Sequence, residues 1–109
     1  MSRAIQKAGF FEHDFANQFG WYVDEAGPDV ARRFQVALDT TLQKIARQPG
    51  LGRRRRFKHP KLQGLHSVTI VHPFNKLLLF YRVEADHIEA WRLMHGARDL
   101  PRRLIEPPE

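Results

Sequence analysis

A chain of 109 residues is long enough to bury one apolar core without disulfides, and this one has no cysteine, which suits a reducing compartment. Eighteen Lys and Arg against twelve Asp and Glu give a formal charge of +6, a balance that favours an anionic partner. No apolar run approaches 18 residues and the N-terminus lacks a signal peptide's apolar core. A membrane span is therefore excluded, and one soluble cytoplasmic domain over residues 1–109 is expected.

In chain order, Arg3 to Ala8 alternates loosely around Ile5 and reads as a strand that would extend a sheet formed later in the chain. From Phe11 the period changes. Phe11, Phe15, Phe19, Tyr22, Val23 and Ala26 fall along one helical stripe, with Gly20 a weak point in its middle. Gly27-Pro28 stops that helix, and Pro28 or Asp29 opens a second. The second is the clearest element: Val30, Phe34, Ala37, Leu38, Thr41, Leu42 and Ile45 recur at i, i+4, i+7, i+8, i+11, i+12 and i+15, and Gln48-Pro49-Gly50 ends it. Two helices joined this tightly form an antiparallel hairpin whose apolar stripes need a sheet to cover.

Leu65 to Asp99 supplies that sheet. Three runs rich in Val, Ile, Leu, Phe, Tyr and Trp are broken by Pro73-Phe74-Asn75 and by Glu84-Ala85-Asp86, a pattern of three consecutive antiparallel strands. The middle run, Leu77 to Val83, is apolar up to Arg82 and reads as a strand covered on both faces. Asp99 can cap a short last helix through Leu104 and Ile105, and Pro107-Pro108 ends it. The expected fold is α+β: an N-terminal strand, an antiparallel helix hairpin, a three-stranded antiparallel meander and a short C-terminal helix, with about four strands in all.

The charge is concentrated in the middle of the chain. Residues 1–39 and residues 84–109 each carry six acids and four Lys or Arg, while residues 40–83 hold ten Lys or Arg and no acid. Six of those ten, Arg53, Arg54, Arg55, Arg56, Lys58 and Lys61, fall within nine residues. Such a run repels itself and is not expected to form regular structure. It offers planar, two-pronged guanidinium contacts to phosphate or carboxylate, and with Arg92 and Arg98 it makes up the candidate surface for a target or a protein partner. Phe10, Trp21 and Phe57 fall off the helical stripes or within the basic loop and are candidate exposed anchors. His13, His59, His66, His72 and His87 have no ligand spacing, and neither a zinc motif nor a Gly-rich phosphate loop occurs, so no metal or cofactor is expected.

Several short marks, taken in order, resemble the ParE/RelE superfamily, toxins of bacterial toxin–antitoxin pairs often called plasmid-stabilisation proteins. They are Phe11-x-x-Asp14; Ala31-x-x-Phe34 with Leu38 and Leu42; Pro49-x-x-Gly52-Arg53; Pro73-Phe74-Asn75 leading to Phe80-Tyr81-Arg82; and Leu93-Met94-His95-Gly96-x-Arg98-Asp99-Leu100. The resemblance implies a helix hairpin on a sheet and a cognate antitoxin that orders on binding. It implies one of two targets. ParE-like members inhibit DNA gyrase by binding it, whereas RelE-like members cut messenger RNA on the ribosome. The His95-Gly96-x-Arg98-Asp99 ending resembles the ParE side, and no aromatic residue follows Trp91 where RelE-like nucleases place one. The expected function is a non-catalytic, gyrase-binding toxin with no membrane and no small-molecule substrate. The enzymatic alternative is a ribosome-dependent endoribonuclease, in which Arg82, His95 and Arg98 would supply phosphate clamps and a proton-transfer group. A third reading is a member that binds its antitoxin but has lost toxicity.

Overall fold

A computed structural model describes residues 2–96 and 100–108. A short strand β1 (Ala4–Lys7) leads into α1 (Gly9–Ala26) and α2 (Pro28–Arg47). A two-residue strand β2 (Arg53–Arg54) follows, then β3 (Leu65–Thr69), β4 (Leu77–Val83), β5 (His87–His95) and α3 (Leu100–Ile105). The sheet order is β1-β5-β4-β3-β2, with β1 parallel to β5 and every other pair antiparallel. The expected order of elements is present, with five strands where about four were expected. The added strand comes from the basic run, which is not wholly irregular: Arg53 pairs with Ser67 and Arg54 with His66. Successive side chains on a strand leave on opposite faces, so two arginines pair there without stacking their charges on one side.

The helix hairpin turns at Gly27, whose φ of 93° lies in the region that favours glycine, and Gly27 N–H donates to the Val23 carbonyl to close α1. Pro28 occupies the first turn of α2, where its missing N–H costs nothing. Asp29 at that end and Lys44 and Arg47 at the other complement the helix dipole. Gly20 does not interrupt α1, which is continuous over 18 residues and begins two residues before Phe11.

The hairpin covers one face of the sheet. Phe11, Phe34, Leu38, Leu42 and Ile45 meet Leu77, Leu79, Tyr81, Ile88, Ala90 and Leu93. Each fully buried side chain among them contributes roughly 1.5–3 kcal/mol. Phe34 is the hub, with ring centroids 5.8 Å from Phe15, 5.0 Å from Tyr22 and 5.6 Å from Phe74. The other face is covered as well. Phe80, Leu65 and Met94 pack under Leu62 and Leu104, with Phe57, Leu78, Trp91, Leu100 and Ile105 at the margin. The middle strand therefore lies between two apolar layers, as its composition predicts. Phe57, expected as an exposed anchor, is part of the second layer because the chain doubles back over the sheet at Pro60–Leu62.

One irregularity shapes β5. Phe80 pairs with Arg92 and Tyr81 with Ala90, which leaves Trp91 as an extra residue. The bulge resets the alternation, so Leu93 joins Ile88 and Ala90 in the helix-covered core while Arg92 turns out of it. It falls where β1 stops, since the last β1–β5 pair is Lys7 with Ala90.

Candidate functional site

Beyond Ala90, β5 runs without β1 beside it, and α1 takes over that edge. Asp14, three residues into the helix from Phe11, directs its carboxylate at the strand. It accepts hydrogen bonds from Arg92 Nε at 2.7 Å, Arg92 Nη2 at 3.0 Å and the Leu93 backbone N–H at 3.0 Å. The two side chains are 4% and 9% exposed. Arg92 Nη1 donates to the carbonyls of Arg103, Leu104 and Glu106, so one guanidinium ties α1, β5 and the C-terminal end of α3. Phe10 lies 5.3 Å from that guanidinium and is 38% exposed. Arg92, expected among the surface cations, is instead an internal fastener.

Beside this knot a groove of about 560 Å³ opens between α1 and the α3 terminus, lined among others by Gln18, Trp21, Met94, His95 and Pro107. Trp21 stands at its border 54% exposed, its ring edge-on to Tyr22 at 5.3 Å. Of the three anchors expected from sequence, Trp21 is the one most open to a partner.

Arg82 lies elsewhere. It pairs with Glu89 at 3.1 Å, donates through Nε to the Gln63 carbonyl at 3.0 Å and through Nη2 to the Lys61 carbonyl, and stacks 4.8 Å over Trp91. Its bonds hold the basic loop against the sheet. His95 is exposed and sits opposite Leu77, whereas Arg82 sits opposite Glu89. The five steps along β4 from Leu77 to Arg82 span about 16 Å at ~3.3 Å per residue. The proposed nuclease set is thus not brought together in its described members, and Arg98, like the expected Asp99 cap, lies outside the described residues. No group of three or more His, Cys, Asp or Glu capable of holding a metal occurs among the described residues.

The basic segment forms the other edge of the sheet. Arg53, Arg54, Arg56, Lys58 and Lys61 are exposed, and none is paired with an acid among the described residues. Arg55 is half-buried: its Nε donates to Ser67 Oγ at 2.7 Å and its guanidinium lies 5.7 Å from the Phe80 ring. Burial first, and the neighbouring Arg53 charge second, lower the Arg55 pKa. The loop is further fixed by Gln63 Nε2, which donates to the Phe57 carbonyl at 2.7 Å, and by His59 Nδ1, which accepts from Lys61 N–H.

Tyr81 anchors the start of this edge. Its hydroxyl donates to the Pro49 carbonyl at 2.8 Å and accepts from Gly52 N–H at 2.9 Å. A Cβ at Gly52 would come within 2.5 Å of that hydroxyl and 2.8 Å of the Ser67 carbonyl, so only glycine fits. The marks Pro49-x-x-Gly52 and Phe80-Tyr81 are two halves of one contact. Likewise Phe11-x-x-Asp14 and the β5 mark beginning at Leu93 meet at the Asp14 carboxylate.

A family model described as the ParE toxin of the type II toxin–antitoxin system parDE matches residues 10–100. The chain belongs to the ParE toxin family. Two solved structures share the fold of this ParE-family chain. A chain of the chromosomal ParDE system from P. aeruginosa superposes with a TM-score of 0.69 at 16% identity, covering 88% of this chain and 98% of the other. A chain of the RelBE2 toxin–antitoxin complex from Mycobacterium tuberculosis superposes with a TM-score of 0.60 at 14% identity, covering 88% and 100%. No curated protein matches the sequence. The family assignment places the chain among type II toxins of the ParE/RelE superfamily, and among the described residues no helix is long and apolar enough to cross a membrane.

Proposed function

We propose that this ParE-family chain acts by binding, without breaking bonds of its own, and that its target is DNA gyrase. The observation that carries this reading is the placement of the cations a nuclease would need. Arg82 is engaged with loop carbonyls and Glu89, Arg92 is enclosed with Asp14, and Arg82 lies some five strand positions from the level of His95. Phosphoryl chemistry through the 2′-hydroxyl needs cations and a proton-transfer group within contact distance of one phosphate.

A cognate antitoxin belongs to the same proposal. The two solved relatives come from toxin–antitoxin systems. On this chain the groove bordered by Trp21 offers an aromatic anchor beside a polar rim, the composition of a protein-binding hot spot.

The test sets purified protein in a gyrase supercoiling assay beside a ribosome-programmed mRNA cleavage assay. Inhibited supercoiling with intact mRNA is expected. Cleaved mRNA with supercoiling unaffected would replace this reading with the endoribonuclease one. Activity in neither assay, together with normal growth on expression alone, would mark a member without toxicity.

A further inference from the structure

The basic edge supports a more specific statement than attraction to anions. Arg53 shares a face of the sheet with Ser67, and Arg55 reaches that same serine, while Arg54 leaves on the face of His66, whose ring stacks on Tyr81 at 5.3 Å. Cations therefore flank the free edge of β2 on both sides. Arg56, Lys58 and Lys61 follow on the loop after β2. Its backbone is held by Arg82 Nη2 donating to the Lys61 carbonyl, Gln63 Nε2 donating to the Phe57 carbonyl and Lys61 N–H donating to His59 Nδ1, not by pairing with acids. Of the large exposed apolar residues Phe10, Trp21, Val36 and Leu51, only Leu51 is close to these cations in the chain. A surface rich in unpaired cations and poor in apolar anchors lacks what a folded protein partner needs at its centre. With two residues, β2 is also too short to gain much by adding a peptide strand.

We propose that this edge binds the phosphodiester backbone of duplex DNA, independently of sequence. A strand edge with guanidiniums on either side suits the B-form major groove, about 12 Å wide and able to admit a β-ribbon between two rows of phosphates. The deep, narrow major groove of duplex RNA does not admit it. The inference does not rest on gyrase being the target, because it is read out with DNA alone.

Five exposed cations, Arg53, Arg54, Arg56, Lys58 and Lys61, set the magnitude. With each neutralising one phosphate, log K falls with log salt at a slope of about −4.5, roughly a 500-fold loss of affinity between 50 and 200 mM. The experiment measures anisotropy of a labelled random-sequence DNA duplex against salt, for the full chain and for the variant Arg53→Gln/Arg54→Gln/Arg56→Gln. The slope should fall to about −2 in the variant. A charge-matched control, Lys7→Gln/Arg33→Gln/Lys76→Gln, changes exposed cations elsewhere and should keep most of the slope. Circular dichroism confirms folding of each.

Absence of salt-dependent binding, or an equal drop in both variants, would overturn the proposal. So would tighter binding of duplex RNA of the same sequence. Polyglutamate of matched charge competing better than DNA would assign the edge to an acidic peptide instead.

Discussion

Replacing Asp14 by Ala should be strongly damaging to the α1–β5 junction. Its carboxylate accepts three hydrogen bonds, two from Arg92 and one from Leu93 N–H, in a pair whose side chains are 4% and 9% exposed. Removing one partner of a buried pair leaves the other charge uncompensated, a loss of about 3–5 kcal/mol. Against a total stability of about 5–15 kcal/mol for a domain of this size, that is a large fraction. At roughly 4 °C per kcal/mol the melting temperature should fall by about 12–20 °C. Arg92→Ala should cost a similar amount, because it also strips the donor from three carbonyls at the end of α3. Urea unfolding followed by circular dichroism, on both single variants and the double, gives the coupling energy directly. We expect more than about 2 kcal/mol, whereas the exposed Asp29–Arg32 pair, with side chains 89% and 67% exposed, should give under about 1 kcal/mol. A coupling for Asp14–Arg92 no larger than that of the exposed pair would refute the assignment of this pair as the junction's fastener.

Gly52→Ala should destabilise the fold by about 1–3 kcal/mol, since the added methyl meets the Tyr81 hydroxyl and a backbone carbonyl. The check is a lowered urea midpoint with an unchanged m-value. Tyr81 also makes the fold sensitive to alkali. Burial raises its pKa above the ordinary 10.0, outweighing the lowering by the Gly52 N–H. Its neutral form therefore contributes stability that is complete below pH 10 and is lost as pH rises through the raised folded value. The urea midpoint should fall above pH 10, and it should fall less in Tyr81→Phe. A residual slope in that variant is expected from Tyr22, whose pKa burial also raises. Equal alkaline slopes in the two proteins would assign the effect to other groups.

The helix hairpin and the meander were legible because their signals are local. The i, i+4, i+7 recurrence in α2 and the short polar breaks between strands report the backbone period directly. What periodicity cannot carry is pairing across the chain. Asp14 and Arg92 are 78 positions apart, and Gly52 and Tyr81 are 29. Composition reads Arg92 as one more surface cation; only the register of β5 past its bulge turns it toward α1 and α3. Phe57 was misplaced for a related reason. A charged neighbourhood suggests solvent, yet the chain folds back at Pro60–Leu62 and carries the ring into the second apolar layer. Arg53 and Arg54 entered the sheet because a strand tolerates charge when its side chains diverge, which a count of like charges does not register. The marks of the resemblance include Asp14, Leu93, Gly52 and Tyr81 but not Arg92, and they do not say what joins them.

The carboxylate of Asp14 has a consequence beyond holding α1 in place. A sheet ends in two rows of backbone groups, and any row left bare is a template on which a stray chain can polymerise. Here one rim is defended by repulsion, its outermost strand being two arginines long. On the opposite side, the stretch of β5 that β1 leaves uncovered is stoppered, because the amide of Leu93 is already taken. A foreign strand arriving there must first evict an anion from its own ion pair, so accidental aggregation meets a toll at one border and a like-charged barrier at the other.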